Sequence, residues 1–280
     1  MLNIKLISTN NLRFVFVLTT ILVAPQLYAS GDLLISPTRI VFEKQTRTGS
    51  VNLVNAGKET NTYRIEFVQR RMKTDGGFEE VKKARSGEQF SNNMIRFSPR
   101  QVTLQPGQAQ AIRLMLRKPP KLADGEYRSH LLFRAIPKAS STSVRNQSTD
   151  DKSIQIKLTP VMGISIPVIV RHGKTSVTTS IDKLRYYPKT SNMIFNLIRV
   201  GNASVYGDLT MKFTDKGGKS YILRQLNGLA VYTPNDHRRV NVPIKPPKDV
   251  KLEHGTMSVQ FHSIKEAGGK LLAEKSIQIP

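Results

Sequence analysis

The chain has 280 residues and no cysteine, so packed cores and sheet hydrogen bonds must hold it together without disulfides or thiolate-bound zinc. Its 43 Lys and Arg against 20 Asp and Glu give +23, a field that favours acidic partners, anionic lipid or nucleic acid without choosing among them. Its 11 Phe and 8 Tyr fall mainly at alternating core positions instead of interleaving with basic residues as stacking platforms, so no nucleic-acid partner is expected.

Lys5 and Arg13 precede the apolar run Phe14 to Val23, and Leu27-Tyr28-Ala29 offers a small residue at a cleavage point, so residues 1–29 read as a secretory signal peptide. Pro25 interrupts the run, which falls short of the roughly 20 apolar residues a membrane span needs. Removing residues 1–29 takes away two cations and no acid, leaving +21 on a chain long enough for two domains.

Asp32 to Phe42 is an apolar segment broken at Ser36-Pro37, which predicts a strand with a kink or a change of sheet. Ser50 to Asn55 and Tyr63 to Val68 alternate, and Asp75-Gly76-Gly77 predicts a hairpin between Arg64–Lys73 and Phe78–Lys83. Met94 to Phe97, Ala109 to Leu116 and Tyr127 to Ile136 follow, with a tight turn at Leu104-Gln105-Pro106-Gly107. Pro137 to Lys152 is polar and aperiodic, a loop. It leads into Ser153 to Arg171, in which Ile154, Ile156 and Leu158 alternate with polar residues. Alternation restarts after Pro160 in Ile164, Ile166 and Val168, so one long strand is expected. Seven to nine short strands to Arg171 predict an antiparallel sandwich.

A second sandwich is expected from Ser176–Leu184, Asn192–Val200, Asp208–Phe213, Tyr221–Leu226, Arg238–Val242, Gly255–His262 and Leu271–Ile279. Turns are predicted at Gly201-Asn202, Asp215–Gly218, Asn227-Gly228, Pro234–Asp236 and Gly268-Gly269. The domains are therefore expected at 30–172 and 173–280, all-β, with no stretch of eleven residues carrying a helical moment.

Catalytic motifs fail on inspection. The five histidines lack zinc-protease spacing, Gly163-Ile164-Ser165-Ile166-Pro167 has proline where a nucleophile elbow ends in glycine, and Gly218-Lys219-Ser220 lacks the first glycine of a phosphate loop. No enzyme activity, metal or cofactor is expected. Arg39, inside an apolar segment, either pairs with an internal acid, projects outward, or awaits an anion from outside, for which a carboxylate suits its fork.

These segments resemble a family, the periplasmic chaperones of pilus assembly, or PapD-like proteins. Thr38-Arg39-Ile40-Val41-Phe42 looks like its first-strand signature, and Phe97-Ser98-Pro99 with Leu104-Gln105-Pro106-Gly107 and Ile112-Arg113-Leu114 like its proline-bearing segment and next strand. Asp124–Ser129 leading to Phe133-Arg134-Ala135-Ile136-Pro137 is similar to the strand after that, and Ser153 onward falls where the donor strand lies. The resemblance implies two immunoglobulin-like domains in an L-shaped, boomerang arrangement, working in the periplasm without ATP. They would cap pilin-like fimbrial subunits by donor-strand complementation and deliver them to an outer-membrane usher, the free chaperone associating with itself. It implies Ile154, Ile156 and Leu158 of donor strand 153–170 in the subunit's pockets and Arg39 on its C-terminal carboxylate. Ser165 stands where the family has a lysine, leaving Arg171 or Lys157 as second cation; this departure, and Ile166-Pro167-Val168, resemble the non-P-type branches. The alternative is an exported structural or adhesive sandwich protein that self-assembles through an edge strand.

Overall fold

The computed structural model describes residues 33–137, 161–248 and 250–280. The expected signal peptide, the loop to Lys152 and the residues Ile154, Ile156, Lys157 and Leu158 lie outside them. Among the described residues there are eighteen strands and only single 3-10 turns, and no helix is long and apolar enough to cross a membrane.

Eleven strands among the described residues precede residue 173: β1 (Leu33–Ser36), β2 (Ile40–Phe42), β3 (Thr48–Asn55), β4 (Asn61–Val68), β5 (Arg70–Met72), β6 (Phe78–Glu80), β7 (Ile95–Ser98), β8 (Gln101–Leu104), β9 (Ala109–Leu116), β10 (Gly125–Ile136) and β11 (Gly163–His172). They exceed the expected count because the first segment divides in two and β8 runs directly into the turn at Leu104. A sheet β1-β3-β9-β7 faces a sheet β2-β11-β10-β4-β8, and β5-β6 is the expected hairpin. Alternating side chains from both sheets, among them Phe42, Leu53, Ile112, Phe133 and Val168, make one core. Ser36-Pro37 is where the chain changes sheet, since β1 pairs with β3 while β2 pairs with β11.

Seven strands build the second sandwich: β12 (Val177–Tyr187), β13 (Asn192–Gly201), β14 (Val205–Asp215), β15 (Ser220–Val231), β16 (His237–Pro243), β17 (Gly255–Ser263) and β18 (Leu271–Ile279). Sheet β12-β13-β16 packs on sheet β15-β14-β17-β18 around Phe195, Phe213 and Phe261, all fully buried. Asn227-Gly228 is not the expected turn. It lies within β15 where the pairing with β14 shifts between Gly207 and Leu209, Gly228 holding φ +71 and donating its N–H to Asp208 Oδ1 at 2.9 Å. An Asn-Gly pair signals positive φ, which a β-bulge uses as readily as a hairpin.

Candidate functional site

The two sandwiches belong to one compact unit, and β10 and β11 lie at their junction. Both strands are covered on two faces. On β11, Val168 and Val170 enter the first core while Ile169 packs with Met72, Ala230 and Tyr232 against the second sandwich. On β10, Tyr127, Leu131 and Phe133 face the first core and leave Glu126, Arg128 and His130, all buried, on the face toward the second.

β11 changes character along its length. Its last residues are flanked by β10 and by β2, which runs parallel from Val168↔Ile40 to Val170↔Phe42. Gly163 to Pro167 pair with β10 alone among the described residues. Pro167 stands on this free-edged stretch, where a proline is tolerated. The apolar face persists there while its cover runs out: relative exposure is 0% at Val168, 3% at Ile166, 38% at Ile164 and 68% at Met162. Backbone and apolar side chains are thus offered together along one edge. Ser165, half-buried opposite Leu132, belongs to the same stretch.

Arg39 lies just before β2 on a cleft of about 1170 Å³ walled by the β1–β2 segment on one side and by β14, β15 and β17 on the other. Its Nη1 donates to the Tyr232 hydroxyl at 3.2 Å, and its guanidinium carbon is 4.5 Å from the centre of the Tyr206 ring and 5.4 Å from that of Tyr232. Among the described residues no carboxylate pairs with it. The internal ion pair open at the level of sequence is absent there, and ring faces hold the charge in place. Arg128 also lies over Tyr232, at 4.4 Å, with burial pushing its guanidinium pKa down; burial pushes the Tyr232 phenol up, against the pull of both arginines. Arg39 and Tyr206 line the cleft while Arg128 and Tyr232 are buried outside its lining, so of the two arginines only Arg39 is placed to meet an anion there. Lys265 borders the same cleft.

Arg171 is already spent inside the molecule. Its Nε meets Glu126 at 3.2 Å, its Nη1 meets Glu43 at 3.2 Å, and its Nη2 donates to the Ser204 carbonyl at 3.0 Å. Glu126 in turn accepts the Ser204 N–H at 2.9 Å and a short bond from the Ser204 hydroxyl. The geometry makes Arg171 a bolt between the sandwiches and does not offer it as a second cleft cation. Glu126, Ser204, Tyr206 and Tyr232 have no recognisable sequence signal, since the last three come from a sandwich with its own separate pattern.

His130 sits edge-on to Phe78 beside Arg128 and Arg70. Burial, then those two charges, lower its pKa from 6.5 to about 3. The unfolded chain therefore takes up a proton first. This contribution to stability is whole above pH 6.5 and drains as pH falls toward 3, approaching about 1.4 kcal/mol per pH unit within that window. Denaturant melts of wild type and His130→Leu should diverge in slope between pH 6.5 and about 5, above the range where carboxylates titrate. Equal slopes would remove His130 as the cause.

The model of the pili and flagellar-assembly chaperone family, PapD N-terminal domain, matches residues 32–172. No curated protein sequence matches the chain. Among solved structures, the CupB2 chaperone of Pseudomonas aeruginosa is similar at 10% identity and TM-score 0.43, covering 88% of this chain and 100% of its own. The CsuC–CsuE chaperone–tip adhesion subunit complex of Acinetobacter baumannii matches at 14% and 0.42, covering 88% and 97%. The chaperone DraB of E. coli matches at 11% and 0.43, covering 89% and 96%.

Proposed function

We propose that this chain, which belongs to the pili and flagellar-assembly chaperones, holds pilin-like subunits in the periplasm by lending them a strand, without ATP, and passes them to an outer-membrane usher. The observation that carries this reading is the free edge of β11, where the apolar face of Val168 and Ile166 continues into exposed Ile164 and Met162. In sequence the same parity continues through Leu158, Ile156 and Ile154. A sandwich that lacks one strand exposes both an apolar groove and unpaired backbone, and such a strand supplies both complements. Each apolar side chain fully buried in the groove contributes about 1.5–3 kcal/mol before ordering costs. That is enough for capture without bond chemistry.

In this reading Arg39 takes the subunit's C-terminal carboxylate in its fork and so sets the register of the lent strand. Lys265, on the opposite wall of the cleft, is the second cation in place of Ser165. The test is periplasmic co-expression with pilin-type subunits from the same source, followed by affinity recovery. A stoichiometric small subunit should accompany the wild-type chain. Arg39→Ala should reduce its recovery about tenfold or more, as loss of one charge-assisted contact of 1.5–3 kcal/mol requires. Recovery of the chain alone or as a homopolymer would overturn the reading and favour a structural protein.

A further inference from the structure

Strand β12 breaks its alternation once. Ile181 enters the second core and Asp182 points away from it, but Lys183 is exposed as well, Leu184 is buried, and Arg185 and Tyr187 are exposed. The pairing with β13 jumps from Asp182↔Asn196 to Arg185↔Ile194, which is one residue more on β12 than on its partner. Lys183 holds φ +52, a left-handed conformation uncommon for residues other than glycine. This bulge brings Leu184 back into phase with the core and at the same time puts Lys183, Arg185 and Tyr187 on one outer face.

Two strands across, β16 contributes His237 and Arg239 to that face. Together these side chains line a recess of about 430 Å³ whose floor is Asn196 and Ile194. The turn of the first sandwich's β5–β6 hairpin closes one side, the Arg239 N–H donating to the Thr74 carbonyl at 2.7 Å. Among the described residues none of Lys183, Arg185 and Arg239 is in an ion pair with a carboxylate. The two acids nearest in sequence do not meet these charged groups: Asp236 meets His237 at 2.6 Å, and Asp182 accepts the backbone N–H of Lys183 at 2.7 Å.

The geometry points to a second binding site here, one that takes the carboxylates of an acidic peptide segment on a partner protein. Three cations converge on a concavity wide enough for one or two side chains, with an amide and a phenol to orient what enters. Arginine forks match carboxylates bidentately, and the lysine adds a point charge. A lipid surface would call for cations beside projecting apolar side chains, not a recess. The site is independent of the free edge of β11 and lies on the other sandwich.

The test is fluorescence anisotropy with labelled hexaglutamate and the full chain. Lys183→Ser/Arg185→Ser/Arg239→Ser should bind about tenfold more weakly or worse. A charge-matched control on the first sandwich's exposed positions, Arg96→Ser/Arg113→Ser/Arg117→Ser, should change binding less than about twofold. Equal weakening in both would assign binding to the net field and overturn the site. Displacement of the peptide by inorganic phosphate beyond a chloride control of equal ionic strength would make it a free-anion site, and preferential loss of binding to phosphatidylglycerol vesicles would make it a lipid site. Either result overturns the proposal. Circular dichroism checks each fold; should the triple variant fail it, Lys183→Ser/Arg239→Ser carries the same comparison.

Discussion

Glu126→Ala should destabilise the protein by about 3 kcal/mol, at the low end of the range for breaking a buried ion pair because Arg171 keeps some contact with solvent. The Glu126 side chain is wholly inaccessible, and three donors converge on it: Arg171 Nε and the N–H and hydroxyl of Ser204. Truncation leaves the Ser204 N–H without its acceptor and Arg171 with only half-exposed Glu43 as counter-charge. Glu126→Gln keeps the acceptor oxygen and the shape while losing the charge, so it should cost less, about 1–2 kcal/mol. Because Ser204 and Arg171 belong to different sandwiches, the alanine variant should also unfold in two resolved steps by calorimetry. A loss below about 1 kcal/mol with one cooperative transition would show that the remaining contacts, the Tyr232 cluster and hydrogen bonds such as Arg239 to Thr74, join the sandwiches without Glu126.

Ile164→Asp should leave folding nearly intact and abolish subunit recovery. Ile164 lies beyond the part of β11 covered by β2 and is more than a third exposed, so a carboxylate there stays hydrated in the free chain and changes stability by less than about 1 kcal/mol. Once a subunit's groove closes over the strand, the same carboxylate is buried without a counter-charge. That forfeits the apolar contribution and adds a desolvation cost of several kcal/mol, which lowers affinity by about a thousandfold or more. Ile156→Asp, on the same parity, carries the same expectation. Wild-type recovery from Ile164→Asp would mean that the subunit is gripped elsewhere. Ile166→Asp cannot serve as this test, since Ile166 is part of the first core and its substitution would unfold the chain.

The sheet change at Ser36-Pro37, the hairpin at Asp75–Gly77 and the phase of Ile164, Ile166 and Val168 were legible in sequence because local chemistry decides them. Asn227-Gly228 misled because its positive φ serves a bulge. The even positions of β10 could not be read from sequence for another reason: Glu126, Arg128 and His130 are polar residues of the kind that line a wet face, and only the second sandwich, distant in sequence, turns that face into an interior. Arg39 could be singled out as a charge in apolar company. Its tyrosine partners could not, since nothing in the alternation of β14 or β15 marks Tyr206 or Tyr232 as facing another sandwich. The ties of Arg171 were out of reach for the same reason, its partners being Glu126 and a carbonyl from beyond the junction.

The order β2-β11-β10 also sets a timetable for synthesis. Strand β2 comes early in the chain, yet among the described residues its only neighbour in the sheet is β11, the last of that sandwich's described strands to be made. Until Val168 is available, Ile40 and Phe42 have no ladder to join, and β10 has an open flank. The first sandwich therefore closes late and all at once, by a contact between its two ends, which is the kind of long-range closure that makes folding slow.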